Sequence, residues 1–452
     1  MLSDALPIVI DLPSPPNWER LGAHLPYEWI EQALVHNGKA SIRQRRLPAQ
    51  QVVWLVIALA LYRHHSIREV LGDLDLALPD LGSNFVTTSA ITQARQRLGD
   101  EPLQWLFQKS AKAWSDQDKE RYLFHGMTLL AMDGTTLRLA DSEVNREHFG
   151  AQAYANGRMG SYPQARGVTL TSLPTHLILD ARFGPYKTSE VTFAKDMVDA
   201  IPDATLTVFD RGFLGAEVLC GLRANGQGRH FLIPAKSTTK WRVIEGSDED
   251  AVVEMDVSAT ARRNMPSLPK QWRARAIKII DRDGDQAYLL TSLMERKLFK
   301  AADLVACYDR RWHIETSYRE LKQTMMGMAL TLRSQSVKGV QQEIWGALIA
   351  YNLVRLEIAK AALEAKCAPT DISFVLALHM IQYELMCAAT MQSQGKLPSL
   401  LQRLRQRLVT DLNARRPERQ CARVVKVKAQ RYRTRRVMKN QPVVEEQPEK
   451  KP

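Results

Sequence analysis

Residues Tyr308 to Lys322 read YDRRWHIETSYRELK. Tyr308, Arg311, Glu315 and Lys322 stand in it at offsets of 0, 3, 7 and 14. On a continuous helix, which advances about 100° per residue, these offsets put all four side chains in a stripe roughly 60° wide. Cys307, Ile314, Tyr318 and Leu321 make an apolar stripe directly beside it. A merely solvated charged face would lie opposite the apolar one. This one borders the face that is buried, where a carboxylate can be held still. A carboxylate between an Arg and a Lys suits metal and phosphate chemistry. The same spacing also serves ordinary intrahelical ion pairs, so the decision rests on the rest of the chain.

Of the 452 residues, 45% are hydrophobic and 25% charged, the balance of a globular protein. The N-terminal MLSDALPIVIDLPSPP has acids and prolines but no basic segment, which does not read as a signal peptide. The longest apolar run, Val52 to Tyr62, is too short to span a bilayer and reads as a buried helix. Cys220, Cys307, Cys367, Cys387 and Cys421 are scattered with no CxxC pair, which argues against a zinc site or disulfide framework. The expectation is a cytoplasmic, nucleoid-associated protein with no membrane partner.

The net charge of +13 is concentrated in one place. Residues 403–440 hold 14 Lys/Arg against two acids, Asp411 and Glu418, so this stretch alone carries +12. An acidic partner should meet the protein there, and for such a tail nucleic acid is the first expectation. A tail that only aids solubility is the alternative.

Residues 1–118 read as helical. A Pro-rich lead precedes a short amphipathic helix near Tyr27 to His36, and Pro48 is placed to start the next. Thr87-Thr88-Ser89 can cap a helix that carries Arg95 and Arg97. That helix suits a DNA major groove, or simply a helical bundle. After Arg121 the texture changes to strands: Met127–Leu139, Arg166–Thr175, His176–Arg182 and Leu206–Asp210, with a helix at Glu190–Ile201 and another after Phe213. That order predicts a mixed sheet with helices on its faces. Residues 223–300 add further alternating, β-branched segments.

Asp133 and Asp210 lie on or just past apolar strands, where a charge is costly unless paired or metal-bound. Three carboxylates from two strands and a helix could hold Mg²⁺, which prefers oxygen ligands. Any one aspartate at a strand end is more simply a turn cap. Asp180 is placed in the same style, and Glu190 is a further candidate.

From about Arg45 to about Ala365 the chain resembles bacterial insertion-sequence transposases of the DDE type, insertion-sequence family four. Three motifs carry the resemblance: Asp133-Gly134-Thr135, Asp210-Arg211-Gly212-Phe213 after LTVF, and the signature Tyr308, Arg311, Glu315, Lys322. It implies an α/β fold with an RNase H-like mixed-sheet catalytic domain over residues 119–365. A β-rich insertion would occupy 223–300. The flanks would be a helical DNA-binding domain at 1–118 and a helical, basic region at 366–452. It implies Asp133, Asp210 and Glu315 as catalytic metal ligands for two Mg²⁺ ions, with Mn²⁺ able to substitute. Arg311 and Lys322 would hold DNA phosphates and Tyr308 would contact DNA near the cleaved end. Some relatives receive a flipped base on a tryptophan in the insertion. Trp241 and Trp272 are available, although a core role suits each better.

The implied activity is cut-and-paste transposition on double-stranded DNA, the element's inverted-repeat ends and the target, by a homodimer in the synaptic complex. A structure-selective nuclease on the same fold and a non-catalytic DNA-binding repressor of transposition are the alternatives. The intact acids argue against the second.

Overall fold

The computed structural model describes residues 24–40, 47–73, 86–117, 119–153, 159–280, 284–326 and 331–390. The Pro-rich lead and the basic stretch 403–440 lie outside them. Among the described residues five helices come first: α1 (Tyr27–His36), α2 (Ala49–Leu61), α3 (Ile67–Asp73), α4 (Thr88–Leu98) and α5 (Glu101–Asp116). Pro48 precedes α2, and the Thr87 hydroxyl caps α4 by accepting from the Ala90 N–H at 3.2 Å. There follow β1 (Thr128–Arg138), α6 (Glu143–Phe149), β2 (Gln164–Ser172), β3 (Ile178–Pro185), α7 (Glu190–Met197), β4 (Thr205–Phe209), α8 (Ala216–Ala224) and β5 (Arg229–Pro234). Next are β6 (Arg242–Gly246), β7 (Asp250–Asp256), α9 (Ala259–Asn264), β8 (Gln271–Ile280) and β9 (Gln286–Thr291). The chain continues through α10 (Ala301–Asp309), α11 (Trp312–Arg319), a π-helical turn at Glu320–Met325, α12 (Val337–Ala365) and α13 (Phe374–Thr390).

The nine strands among the described residues join one mixed sheet in the order β3-β2-β1-β4-β5-β9-β8-β7-β6. β1, β4 and β5 run parallel, and β2 and β3 extend one side antiparallel. That half is RNase H-like. β5 is the last parallel strand, so the antiparallel run β6 to β9 extends the same sheet through the β5–β9 pairing. Trp241 packs edge-on to Tyr288 and Trp272 to Phe231, both against this extension.

Side-chain alternation along β1 sorts the two faces. Leu130 and Met132 point into a cluster with Phe193, Ala194 and Met197 of α7 and Val218, Leu219 and Leu222 of α8. Leu129 and Ala131 point the other way, to Leu304 and Cys307 of α10 and Ile314 and Tyr318 of α11.

The N-terminal helices share their core with the RNase H-like half of the sheet and with α12. α2 is apolar after Gln50 and Gln51 and is buried along nearly its whole length, packed against α12. Gly346 permits the approach: a Cβ there would lie 2.6 Å from Val56 Cγ1. The same cluster takes in Ile178 and Ala181 of β3. Among the described residues no helix is long and apolar enough to cross a membrane.

The single helix expected over Tyr308 to Lys322 is three pieces. At Arg310 and Arg311 the bonding tightens: the N–H of Arg311 reaches the Tyr308 carbonyl at 2.8 Å, and that of Ile314 reaches Arg311 at 3.0 Å. After Arg319 the turn widens to π. One tight turn and one wide turn change the residue angle in opposite senses, so the signature side chains still gather on one side.

Candidate active site

Strand register places the first two acids. β1 and β4 are parallel, with Met132 opposite Phe209. The next residue on each is an aspartate, so Asp133 and Asp210 stand side by side at the carboxyl end of the parallel pair. Asp133 continues the odd-numbered face, toward α11, and α11 carries Glu315. The backbone holds each aspartate: the Gly134 N–H donates to Asp133 Oδ1 at 2.7 Å, and the Gly212 N–H donates to Asp210 Oδ2 at 3.2 Å.

Arg311 ties the acids together. Its Nη1 lies 3.4 Å from Asp133 Oδ2 and its Nη2 lies 2.9 Å from Glu315 Oε1. Burial raises the Asp133 carboxyl to about 6, against the pull of the Gly134 N–H and Arg311, while nearby Asp210 and Glu190 push it further up. Tyr308 is half-buried beside Arg311 and Asp210, and burial raises its phenol. Lys322 lies in the π turn with its Nζ 5.5 Å from the centre of the Tyr318 ring; burial lowers it and Asp133 opposes this. The structure thus gathers Asp133, Asp210, Glu315, Tyr308, Arg311 and Lys322.

Arg95 and Arg97 stand apart from this group. Arg95 turns into the fold and its Nε donates to Gln342 Oε1 at 2.9 Å, whereas Arg97 is exposed. Asp180 is buried on β3, where its Oδ1 accepts from the Ala181 N–H at 2.8 Å and from Arg182 Nη1 at 2.6 Å.

Sequence patterning assigned Tyr318 to the apolar stripe and no more. Its hydroxyl in fact donates to the Asp133 carbonyl at 2.6 Å and meets Thr169 Oγ1 at 2.9 Å, clamping α11 to β1 beside the first acid. A buried polar cluster fixes the π turn from the other side. Glu320 is paired with Arg355 of α12 and takes the Tyr351 hydroxyl at 3.0 Å. Arg355 Nη2 also donates to His176 Nδ1 at 2.6 Å, and His176 Nε2 lies 3.1 Å from His313 Nδ1. The one signal in the sequence is an arginine inside the apolar run YNLVRLEIA.

Among the described residues no group of three or more His, Cys, Asp or Glu side chains is drawn close enough to hold a metal ion. The guanidinium of Arg311 contacts both Asp133 and Glu315. The donor set is carboxylates from two adjacent strand ends and a facing helix, oxygen ligands of the kind a hard divalent cation takes.

A mixed sheet with aspartates at the ends of two adjacent parallel strands is the frame of a class of enzymes that act on phosphodiesters. Comparison with known proteins narrows it. A family model described as insertion element 4 transposase N-terminal matches residues 15–108, and one described as transposase DDE domain matches residues 124–353. The chain is 36% identical over 419 residues to the transposase InsG for insertion sequence element IS4 of Escherichia coli strain K12, covering 92% of this chain and 93% of that protein. It is 37% identical over 235 residues to the putative transposase InsZ of the same strain, covering 51% of this chain and 76% of that protein. Among solved structures, the piggyBac transposase synaptic complex with hairpin DNA aligns over 84% of this chain and 81% of that one, at 9% identity and a TM-score of 0.39. The chain belongs to the insertion element 4 family of DDE transposases. It is a DNA-binding enzyme of transposition that cleaves and joins DNA strands, and DDE domains of this kind generally use divalent metal ions.

Proposed function

We propose that Asp133, Asp210 and Glu315 are the acids through which this transposase cuts DNA, and that they hold two Mg²⁺ ions, replaceable by Mn²⁺. The observation that carries this is the parallel register of β1 and β4, which sets Asp133 beside Asp210 on a rigid edge facing Glu315. Two such ions supply a nucleophilic oxygen at neutral pH and balance charge on the attacking and leaving oxygens. The chain's own residues do the positioning. The N–H groups of Gly134 and Gly212 fix the two aspartates, and Tyr318 locks α11 against the Asp133 carbonyl. For the acids to take up a cation, Arg311 must release Asp133 and Glu315. A DNA phosphate is the partner it would take instead, with Lys322 binding a second phosphate and Tyr308 lying at the cleaved end.

Element-end recognition would fall to residues 1–118, with the exposed Arg97 better placed for DNA than Arg95, which Gln342 holds. Residues 119–365 would form the catalytic domain and 366–452 the basic region, whose tail at 403–440 would supply sequence-independent affinity. Two copies would pair across the two inverted-repeat ends.

The test is cleavage of a duplex carrying the element end by Asp133→Asn, Asp210→Asn and Glu315→Gln. Each should abolish nicking while leaving end binding within a few fold, since affinity comes mainly from phosphate contacts. Full Mg²⁺-dependent cleavage by any one variant removes that residue from the site.

A further inference from the structure

In open sheets with helices on their faces, ligands bind beyond the carboxyl ends of the parallel strands. β1 and β4 bring Asp133 and Asp210 to that edge, and the third parallel strand, β5, leads into Lys236. β4 and β5 pair with Val208 opposite Leu232, so Pro234 is level with Asp210 and Lys236 stands two residues further on. Side-chain alternation gives the face. Leu206 and Val208 of β4 and Leu232 of β5 point to the α10 and α11 side, which puts Asp210 on the same face as Asp133. Phe231 and Ile233 point to the α7 and α8 side. Ala235 keeps the alternation: it is buried on the α7 and α8 side, and its N–H donates to the Tyr288 carbonyl at 2.8 Å. Lys236 therefore leaves β5 on the face that carries the two aspartates.

We infer that Lys236 binds a phosphate of the DNA strand that crosses the two aspartates, on the side of Asp210 away from Asp133. This rests on the reading of Asp133 and Asp210 given above. The ammonium is available: among the described residues no acid pairs with it. Its Nζ lies 3.4 Å from the Leu214 carbonyl, long for a hydrogen bond, in the turn that follows Asp210. The backbone is held, since the Lys236 N–H donates to Thr239 Oγ1 at 3.1 Å and its carbonyl accepts from the Thr239 N–H at 2.9 Å. A lysine that only aids solubility would stand out in water, whereas Lys236 is half-buried at the edge. Its position also completes a row. Arg311 and Lys322 are the cations near Asp133. β5 lies two strand spacings from β1, about 10 Å, which is about three nucleotides along a DNA strand. A strand laid across the edge from β1 to β5 is then held by cations at both ends of the aspartate pair.

The experiment measures binding of the full-length protein to element-end duplexes in which one phosphate at a time, within about three nucleotides of the cleaved bond, is a neutral methylphosphonate. Wild type is compared with Lys236→Gln and Lys236→Arg, with a melting curve for each. Lys195→Gln is the control, because Lys195 is paired with Glu217 on the α7 and α8 side. Lys236→Gln should lower the log–log salt slope by about one at unchanged melting temperature. At one position near the cleaved bond, neutralising the phosphate should weaken wild type and Lys236→Arg but leave Lys236→Gln no weaker than it already is. Lys195→Gln should match wild type throughout. A wild-type slope in Lys236→Gln, or penalties that add at every position, overturns the inference. Cleavage by Asp133→Asn and Asp210→Asn judges the acids separately: full cleavage removes them from the site while the coupling at one phosphate would still place Lys236 beside the cleaved bond.

Discussion

His176 lies in the turn between β2 and β3, and burial holds its imidazole neutral, lowering it from 6.5 to about 4, with the adjacent Arg355 guanidinium adding to the effect and Glu320 opposing it. A group depressed in the fold gives stability that is complete above its unfolded value and drains away as pH falls toward its folded value. For His176 the window runs from 6.5 down to about 4, and across all of it the loss is about 3 kcal/mol. Between pH 7 and pH 5 the loss is about 2 kcal/mol. The clean perturbation is His176→Asn. The backbone there has φ 61°, a left-handed conformation that asparagine tolerates, and an asparagine oxygen can accept from Arg355 as Nδ1 does now. The assay is denaturant unfolding of both proteins at pH 7 and pH 5. Groups that do not touch His176 cancel in the comparison, and Glu320 and His313 are the neighbours that do not cancel. Wild type should lose about 2 kcal/mol more than the variant over this interval. Equal losses would refute the reasoning, because they would mean that His176 titrates alike in the folded and unfolded chain.

Arg311→Gln should remove one phosphate contact, lowering the log–log salt slope of end binding by about one, and should strengthen Mn²⁺ binding in the absence of DNA. An unchanged slope measured by salt titration would confine Arg311 to its ion pairs with Asp133 and Glu315; Lys322→Gln is tested the same way. Asp180→Asn should leave cleavage intact at permissive temperature and cost at most about 1–2 kcal/mol in a melt, because Asp180 serves Arg182 and the Ala181 N–H and not the site. Lost cleavage in a folded Asp180→Asn protein would contradict that assignment.

The three proposed acids stand out in the sequence because each stands against its background. Asp133 and Asp210 interrupt apolar strand runs, and Glu315 sits in a spaced signature. Their pairing could not be read, because it depends on β1 and β4 being parallel and in register, a contact across 77 positions that no local pattern encodes. The same limit applies to the supports. Tyr318 looks like one more apolar-stripe residue until β1 is set beside α11 and the Asp133 carbonyl comes within reach of its hydroxyl. Regular periodicity also misjudged the signature stretch, since it counts every residue at one angle. The tight turn at Arg311 and the π turn at Glu320 coincide with tertiary partners, Asp133 at the first and Arg355 at the second. Both departures fall beside residues of the proposed site. Arg311 leaves the regular ladder where it meets two acids, and the π turn presents Lys322 while Glu320 is held from behind. A straight helix would keep the stripe but would turn Glu320 away from Arg355 or Lys322 away from Asp133. The irregular backbone is therefore what lets one short segment anchor itself in the core and still face the acids.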